Sequence, residues 1–458
     1  MKKSYQYIIR SISFGLFILT GFSSCKKYLE EPPSKTTSLV VTTTDQLSAL
    51  LNNYTQFYAE GNRTAIYSTD DYELPKSLYD ARPATFSSMA TIQFMLWDIP
   101  YLPDDTREGF WSGEYKKIFY ANMALDYVDK VTGPDADKAA IKADAHLIRA
   151  YSYWELANTY CLPYTDANKN EAGLPIKLST SFEEPFVRQP LSKVYELIES
   201  DITEALKTTV PLQQGAQVRH WRASKAGVNG FAARYYLNRN NYAKAITHAN
   251  AALAEYSTLV NHESWWYIPS QNLLNLYDQT NDLRYRYHIV EGYSYDRGLA
   301  KPSYNYPGYI FFFKDRIPSG PTVAEMYLIK AEALARTNDV AGAMTAVNTL
   351  RAKRMLPGAW VNLSAINKDD AIKKVAEERR REMPFVQRWY DLRRYNNNED
   401  PNDDVNLSKT FYPYTNSAVL STQPVQSYTL PKGSRRWAAP LPRTEIISSD
   451  GVIEQNTY

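Results

Sequence analysis

Residues Ala223–Tyr256 read ASKAGVNGFAARYYLNRNNYAKAITHANAALAEY, and Ala324–Leu350 read AEMYLIKAEALARTNDVAGAMTAVNTL. In the first stretch Ala233, Ala245, Ala249 and Ala252 frame a helix–turn–helix, with Asn240 and Asn241 in the turn. In the second, Ala331, Ala343, Val347 and Leu350 keep the same relative spacing, with Asn338 and Asp339 in the turn. Small residues at those places let two antiparallel helices approach closely. A helix pair of this kind leaves an apolar face that only a neighbouring pair covers, so the pattern predicts a stack of pairs of the tetratricopeptide type.

Working outward, the same periodicity recurs upstream. Trp111, Tyr115, Ile118, Asn122, Leu125 and Val128 follow one helical face. From about Ala136 to Cys161 the residues Ala140, Ala143, Leu147, Ala150, Trp154, Ala157 and Cys161 alternate three and four apart, which puts Cys161 on a buried stripe. Leu191 to Thr208 carries a further stripe of Val194, Leu197, Ile198, Ile202, Ala205 and Leu206. Two clear units and two degenerate earlier pairs predict a mostly α fold of about four helix pairs.

Two stretches interrupt this pattern. Residues 62–110 lose periodicity and gain prolines, acids and aromatics, and read as irregular and loop-rich. Residues 262–320 hold Trp265, Trp266, Tyr267, eight further tyrosines and the run Phe311-Phe312-Phe313, while Pro269, Pro302, Pro307 and Pro318 forbid long helices. Long aromatic insertions of this sort carry function more often than polar ones. Near the start, Thr43 and Gln46 form a capping box opening an amphipathic helix through Leu47, Leu50, Leu51, Tyr54 and Tyr58.

The N-terminus reads as an export signal over residues 1–24. Lys2, Lys3 and Arg10 precede an apolar stretch from Ser11 to Phe22, too short to span a bilayer, and Ser23-Ser24 then lead into Cys25. Cysteine is scarce, with two in the chain, and its place directly after the small residues suits acylation of Cys25 as the new N-terminus, although Phe22 stands where an aliphatic residue is commoner. Residues 25–42, with two prolines and many Ser and Thr, suit a tether to the globule of residues 43–458.

Composition narrows the function. The signal carries three of the 52 basic residues, so the remainder balances 49 basic against 50 acidic groups, without the basic excess of a nucleic-acid binder. The 37 tyrosines and nine tryptophans pair flat apolar faces with hydrogen-bonding edges, as ligand-binding surfaces do, and also pack between helices. His146, His220, His248, His262 and His288 show no metal-ligand spacing, and neither a nucleophile elbow nor a phosphate-cradling glycine loop occurs. Neither a metal nor a cofactor is expected. The acid pairs Asp70-Asp71, Asp104-Asp105, Asp369-Asp370 and Asp403-Asp404 read as caps and solvated turns in preference to glycosidase or calcium sites.

Several blocks together resemble the SusD/RagB family of outer-membrane nutrient-binding lipoproteins. They are Cys25-Lys26-Lys27-Tyr28-Leu29; WSGEYKKIFYAN from Trp111 to Asn122; AHLIRAYSYWELANTY from Ala145 to Tyr160 with GLPI from Gly173; the two repeat stretches above; ERRREMPFVQRWYDLRRY over 378–395; and PLPRTEI from Pro440 to Ile446. The block at 378–395 departs from the family pattern in having Val386-Gln387 where Glu-Gly is common, and Pro384 predicts a local bend. The chain is also rather short for the family, which implies trimmed loops. Glu378, Arg379, Glu382, Arg388, Asp391 and Arg394 read as a bracing network beside Trp389 and Tyr390, since no nucleophile accompanies them.

The resemblance implies a lipid-anchored protein on the outer face of the outer membrane, capping a SusC-like TonB-dependent transporter as a hinged lid. It implies a glycan ligand, with peptides as the alternative cargo, and no enzymatic step. A surface glycoside hydrolase and a purely structural lid are the competing readings. Family binding residues vary, so none carries over by motif. Position alone nominates Trp97, Tyr101, Trp265, Trp266 and Tyr267 as ligand contacts, each of which has core packing as its alternative.

Overall fold

A computed structural model describes residues 41–53, 63–81, 83, 88–98, 109–181, 183–215, 217–218, 221–258, 264–291, 294–295, 304–305, 309–314 and 320–458. The export signal of residues 1–24, Cys25, its tether up to residue 40, Tyr54, Tyr58 and Tyr101 lie outside the described residues. Helices α1 (Thr44–Leu51), α2 (Arg63–Tyr67), α3 (Lys76–Ala81) and α4 (Met89–Leu96) lead to the long α5 (Gly109–Tyr127) and α6 (Asp135–Tyr160), then α7 (Leu191–Ala205). The first repeat unit is α8 (Lys225–Asn238) with α9 (Tyr242–Glu255), and α10 (Gln271–Leu274) and α11 (Leu283–His288) follow. The second unit is α12 (Val323–Arg336) with α13 (Val340–Arg351), after which come α14 (Lys368–Glu382), α15 (Val386–Tyr395) and α16 (Arg443–Ser448). The fold is mostly helical. α6 packs against both α5 and α7, α8 against α9, α9 against α12, and α12 against both α13 and α14.

The two repeat turns are built identically. Asn240 (φ 55°) and Asn338 (φ 67°) take the left-handed conformation that Asn tolerates. The next residue caps the following helix: Asn241 accepts from the Lys244 N–H at 3.1 Å and Asp339 from the Gly342 N–H at 2.8 Å. Ala233, Ala245, Ala249, Ala331, Ala343, Val347 and Leu350 are wholly buried along the seams. Ala249→Leu is therefore expected to overpack the seam and cost about 1–3 kcal/mol. The denaturation midpoint checks this, and an unchanged midpoint would show that the seam has room.

The capping box at α1 forms as expected, with the Thr43 hydroxyl accepting from the Gln46 N–H and the Gln46 carboxamide accepting from the Thr43 N–H, both at 3.3 Å. The segment expected to be irregular after residue 62 instead carries α2, α3 and α4 among its described residues. At five to eight residues each, these helices are too short for periodicity to register. Their apolar sides form a separate core with Ile268, Leu273, Leu274, Tyr277, Phe385, Phe411 and Tyr412.

The strands are short, and Leu174 of the first pair belongs to the main core. β1 (Ala172–Pro175) pairs with β2 (Arg188–Pro190), and β3 (Gln213–Gln214) with β4 (Gln217–Val218). Within the aromatic insertion are β5 (Ser264–Tyr267), β6 (Ile289–Glu291), β7 (Ser294–Tyr295), β8 (Tyr304–Asn305) and β9 (Tyr309–Lys314). β9 is the centre of an antiparallel sheet of order β5-β9-β6, with Trp266 opposite Phe312 and Tyr267 opposite Phe311. The C-terminal part adds the hairpin β10 (Leu407–Phe411) and β11 (Gln426–Leu430). No helix among the described residues is long and apolar enough to cross a membrane.

Candidate functional site

The block at 378–395 ties the helical stack together. Arg379 Nε donates to Asp391 at 2.7 Å, and Arg234 donates to Glu325 at 2.7 and 2.9 Å. Glu332 takes Arg394 and, at 2.8 Å, Arg336. On the opposite side Glu378 meets Arg284, Arg351 and Arg381 at 2.8–2.9 Å, and Glu382 meets Arg284 and Arg354. Burial by itself would raise the Glu378 carboxyl, but these guanidinium groups outweigh it and hold it down at about 2. Every acid of the block is thus neutralised by arginine, an arrangement that fixes geometry.

The aromatic layer is bolted to this stack by Asp70 and Asp71. Arg388 donates to both Asp70 carboxylate oxygens at 2.8 and 2.9 Å, and Arg380 donates to Asp71 at 2.5 Å. Burial opposes ionisation of Asp70, yet Arg388 and Arg380 prevail and hold its carboxyl well below the usual range. Asp71 also accepts the Phe385 N–H at 2.8 Å. Phe385 sits where Pro384 ends α14, at φ 66°, a costly conformation for an aromatic residue, with its ring fully buried. The expected bend is therefore present and pinned. Ser270 completes the bolt, its hydroxyl and N–H donating to the Asp70 and Asp71 carbonyls at 2.6 and 2.7 Å. The sequence reading of this acid pair as a cap or solvated turn is corrected: its partners lie more than 300 positions away in the chain.

The nominated aromatics fall in different places. Trp97 closes α4 at φ 59° and is 5 % exposed, its indole N–H donating to the Ser68 carbonyl at 2.8 Å. Tyr267 is half-buried, with its ring 5.0 Å from Phe385 and hence against the pinned bend. Trp265 and Trp266 belong to the backbone of β5, beside Tyr267. Cys161 is wholly buried, and burial pushes its thiol up to about 11, so it serves as core. Among the described residues no cluster of His, Cys, Asp or Glu is placed to hold a metal ion.

Sequence reasoning passed over the β10–β11 hairpin. Tyr414 and Tyr428, both half-buried, stack with centroids 6.0 Å apart and planes 30° from parallel. Their hydroxyls donate to the carbonyls of Asp98 (3.3 Å) and Tyr412 (3.0 Å), which fixes the rings. The Asp98 and Arg436 side chains pair at 3.0 Å beside them, and the exposed Gln426 amide donates to the Tyr428 hydroxyl at 2.7 Å. This ledge adjoins the end of α4, where Trp97 lies. The clue in the sequence was the alternation of Leu407-Ser408-Lys409-Thr410-Phe411, a strand pattern with a lysine at an apolar position.

Comparison with known proteins agrees with this architecture. A family model described as "Starch-binding associating with outer membrane" matches residues 27–237, and the SusD family model matches residues 323–458. No curated protein matches the chain. Among solved structures, a SusD-like carbohydrate binding protein from Bacteroides vulgatus superposes with a TM-score of 0.65 at 18 % identity, covering 90 % of this chain and 97 % of its own. Surface glycan-binding protein A from Bacteroides uniformis gives a TM-score of 0.64 at 14 % identity over 90 % of this chain and 99 % of its own. A laminarin-binding SusD-like protein gives 0.61 at 17 % identity over 91 % and 99 %. With its repeat units, its C-terminal block and both family models in agreement, this chain belongs to the SusD/RagB family.

Proposed function

We propose that this protein is a surface lipoprotein, anchored through Cys25, that binds nutrient glycans by aromatic stacking and delivers them to a SusC-like TonB-dependent transporter as its lid. The observation that carries this reading is the separation of labour in the fold. A stack of helix pairs, rigidified by buried Arg–carboxylate pairs, holds an aromatic-rich layer through the bolt at Asp70-Asp71 and through the pairing of Arg284 with Glu378 and Glu382. Aromatic faces stack on sugar rings while amides and carboxylates take up hydroxyl hydrogen bonds, and binding of this kind needs no covalent step. The names of the laminarin-binding and surface glycan-binding neighbours support a saccharide over a peptide.

Among the nominated residues, Trp265 and Trp266 are the first to test, because Trp97 is occupied in the core and Tyr267 rests on Phe385. Taking one sugar face on one indole at the scale of an aromatic pair gives about 0.5–1.5 kcal/mol beyond area burial. The double variant Trp265→Ala, Trp266→Ala is therefore expected to lose about tenfold or more in affinity for the retained glycan. Affinity electrophoresis against a panel of polysaccharides measures it. Undiminished retention would remove both residues from the site, and calorimetric binding of oligopeptides without oligosaccharides would replace the glycan reading by the peptide one.

A further inference from the structure

Lys409 breaks the pattern of its strand. In β10 the side chains of Leu407, Lys409 and Phe411 alternate with the exposed Ser408 and Thr410, and Leu407 and Phe411 are buried. The hairpin register places Leu407 opposite Leu430 and Lys409 directly opposite Tyr428, the inner ring of the tyrosine ledge. Lysine at the inward position of a strand needs a reason. Its ammonium lies 5.1 Å over the Trp97 ring and 6.0 Å over the Tyr72 ring, and donates to the Tyr67 carbonyl at 3.1 Å. Lysine carries three donors, and this carbonyl takes one. Among the described residues no carboxylate stands within ion-pair distance, because the nearby Asp70 and Asp71 are already held by Arg388 and Arg380. The residue as a whole is half-buried.

We propose that Lys409 is the cation of an anion-recognising subsite, and that with the fixed Tyr414–Tyr428 ledge it selects a saccharide carrying an acidic group. This rests on the glycan reading above and adds the ligand's charge to it. The rings offer a stacking surface, the exposed Gln426, Asp98 and Arg436 offer partners for hydroxyls, and the ammonium offers an unspent charge for a carboxylate or sulfate. Burial pushes the Lys409 ammonium down to about 7, with Asp70, Glu73 and Asp71 pulling the other way. The groups that face it are thus those three acids, the Arg380 and Arg388 guanidiniums that neutralise two of them, and the Tyr72 and Trp97 rings, with Tyr428 opposite it in the strand register. A bound anion restores the charge, so binding takes up a proton near neutrality and weakens as the pH rises further. The alternative role for an inward lysine is to guard a strand edge against self-pairing.

The test uses the purified protein, Lys409→Met and Lys409→Arg in affinity gels containing polygalacturonate, carrageenan or a neutral β-glucan. Retention of the wild type and Lys409→Arg by an anionic gel, with a loss of about tenfold or more in Lys409→Met, supports the proposal. Retention by polygalacturonate alone names the carboxylate, and retention by carrageenan alone names the sulfate. A melting temperature for Lys409→Met no lower than that of the wild type shows that the fold is intact. Lys409→Met retained like the wild type overturns the proposal, whether or not the variant self-associates. Wild type retained only by the neutral gel overturns it while leaving the glycan reading in place, and no retention by any gel removes both.

Discussion

Glu378→Gln is expected to destabilise the protein by about 3–5 kcal/mol. The wild-type carboxylate is wholly buried, accepts from Arg351 of α13 and Arg381 of α14, and forms an ion pair with Arg284 of α11 at 2.9 Å. Glutamine keeps the shape and loses the charge, which takes from Arg351 its carboxylate partner and leaves the cluster of Arg284, Arg351 and Arg381 with one positive charge in excess, so the cost exceeds that of a lost hydrogen bond. Urea denaturation at neutral pH measures it. A second measurement separates charge from packing. The Glu378 carboxyl is held at about 2, below its value in the unfolded chain, so its stabilisation is complete above the unfolded value and is lost as the pH falls through about 2. The wild type should therefore lose about 3 kcal/mol from this group between roughly pH 4.5 and pH 2. Glu378→Gln should show a shallower decline over that window, and equal declines in the two proteins would refute the assignment.

How much of this was legible in the sequence depends on the distance over which each signal acts. The repeat turns were readable because Asn240-Asn241 and Asn338-Asp339 do local work, one residue turning the chain and the next capping a helix. The buried alanines of the seams were readable from spacing. The bracing role of the 378–395 block was readable from its chemistry, since arginine and acid crowd one stretch with no nucleophile among them. Its partners were not, because Arg284, Glu325, Glu332 and Arg351 come from other helices. The same limit hid the meaning of Asp70-Asp71. Aromatic composition also failed to distinguish a face from a core: Trp97 has the composition of a ligand contact and the environment of a core residue. Lys409 was legible in principle, as a charge at an inward position, but only once the strand was assigned.

Asp71→Ala is expected to be nearly as costly as Glu378→Gln, at about 3–5 kcal/mol, but the loss should fall on a different part of the molecule. Asp71 is wholly buried and does two things at once: it takes the Arg380 guanidinium and holds the N–H of the strained Phe385. Without it Arg380 faces the remaining Asp70 group alone, and the bend at Phe385 loses the contact that offsets its φ of 66°. The groups that depend on this bolt are Tyr267 through its contact with Phe385, and Ser270 through its bonds to the 70–71 backbone. The repeat seams between α8, α9, α12 and α13 share none of these contacts. The variant should therefore keep its helical circular dichroism while the segments around residues 63–81 and 264–291 gain amide exchange and protease sensitivity. Loss of helical signal in step with those segments would show that the aromatic layer and the helical stack open as one unit, and that the bolt does not separate them.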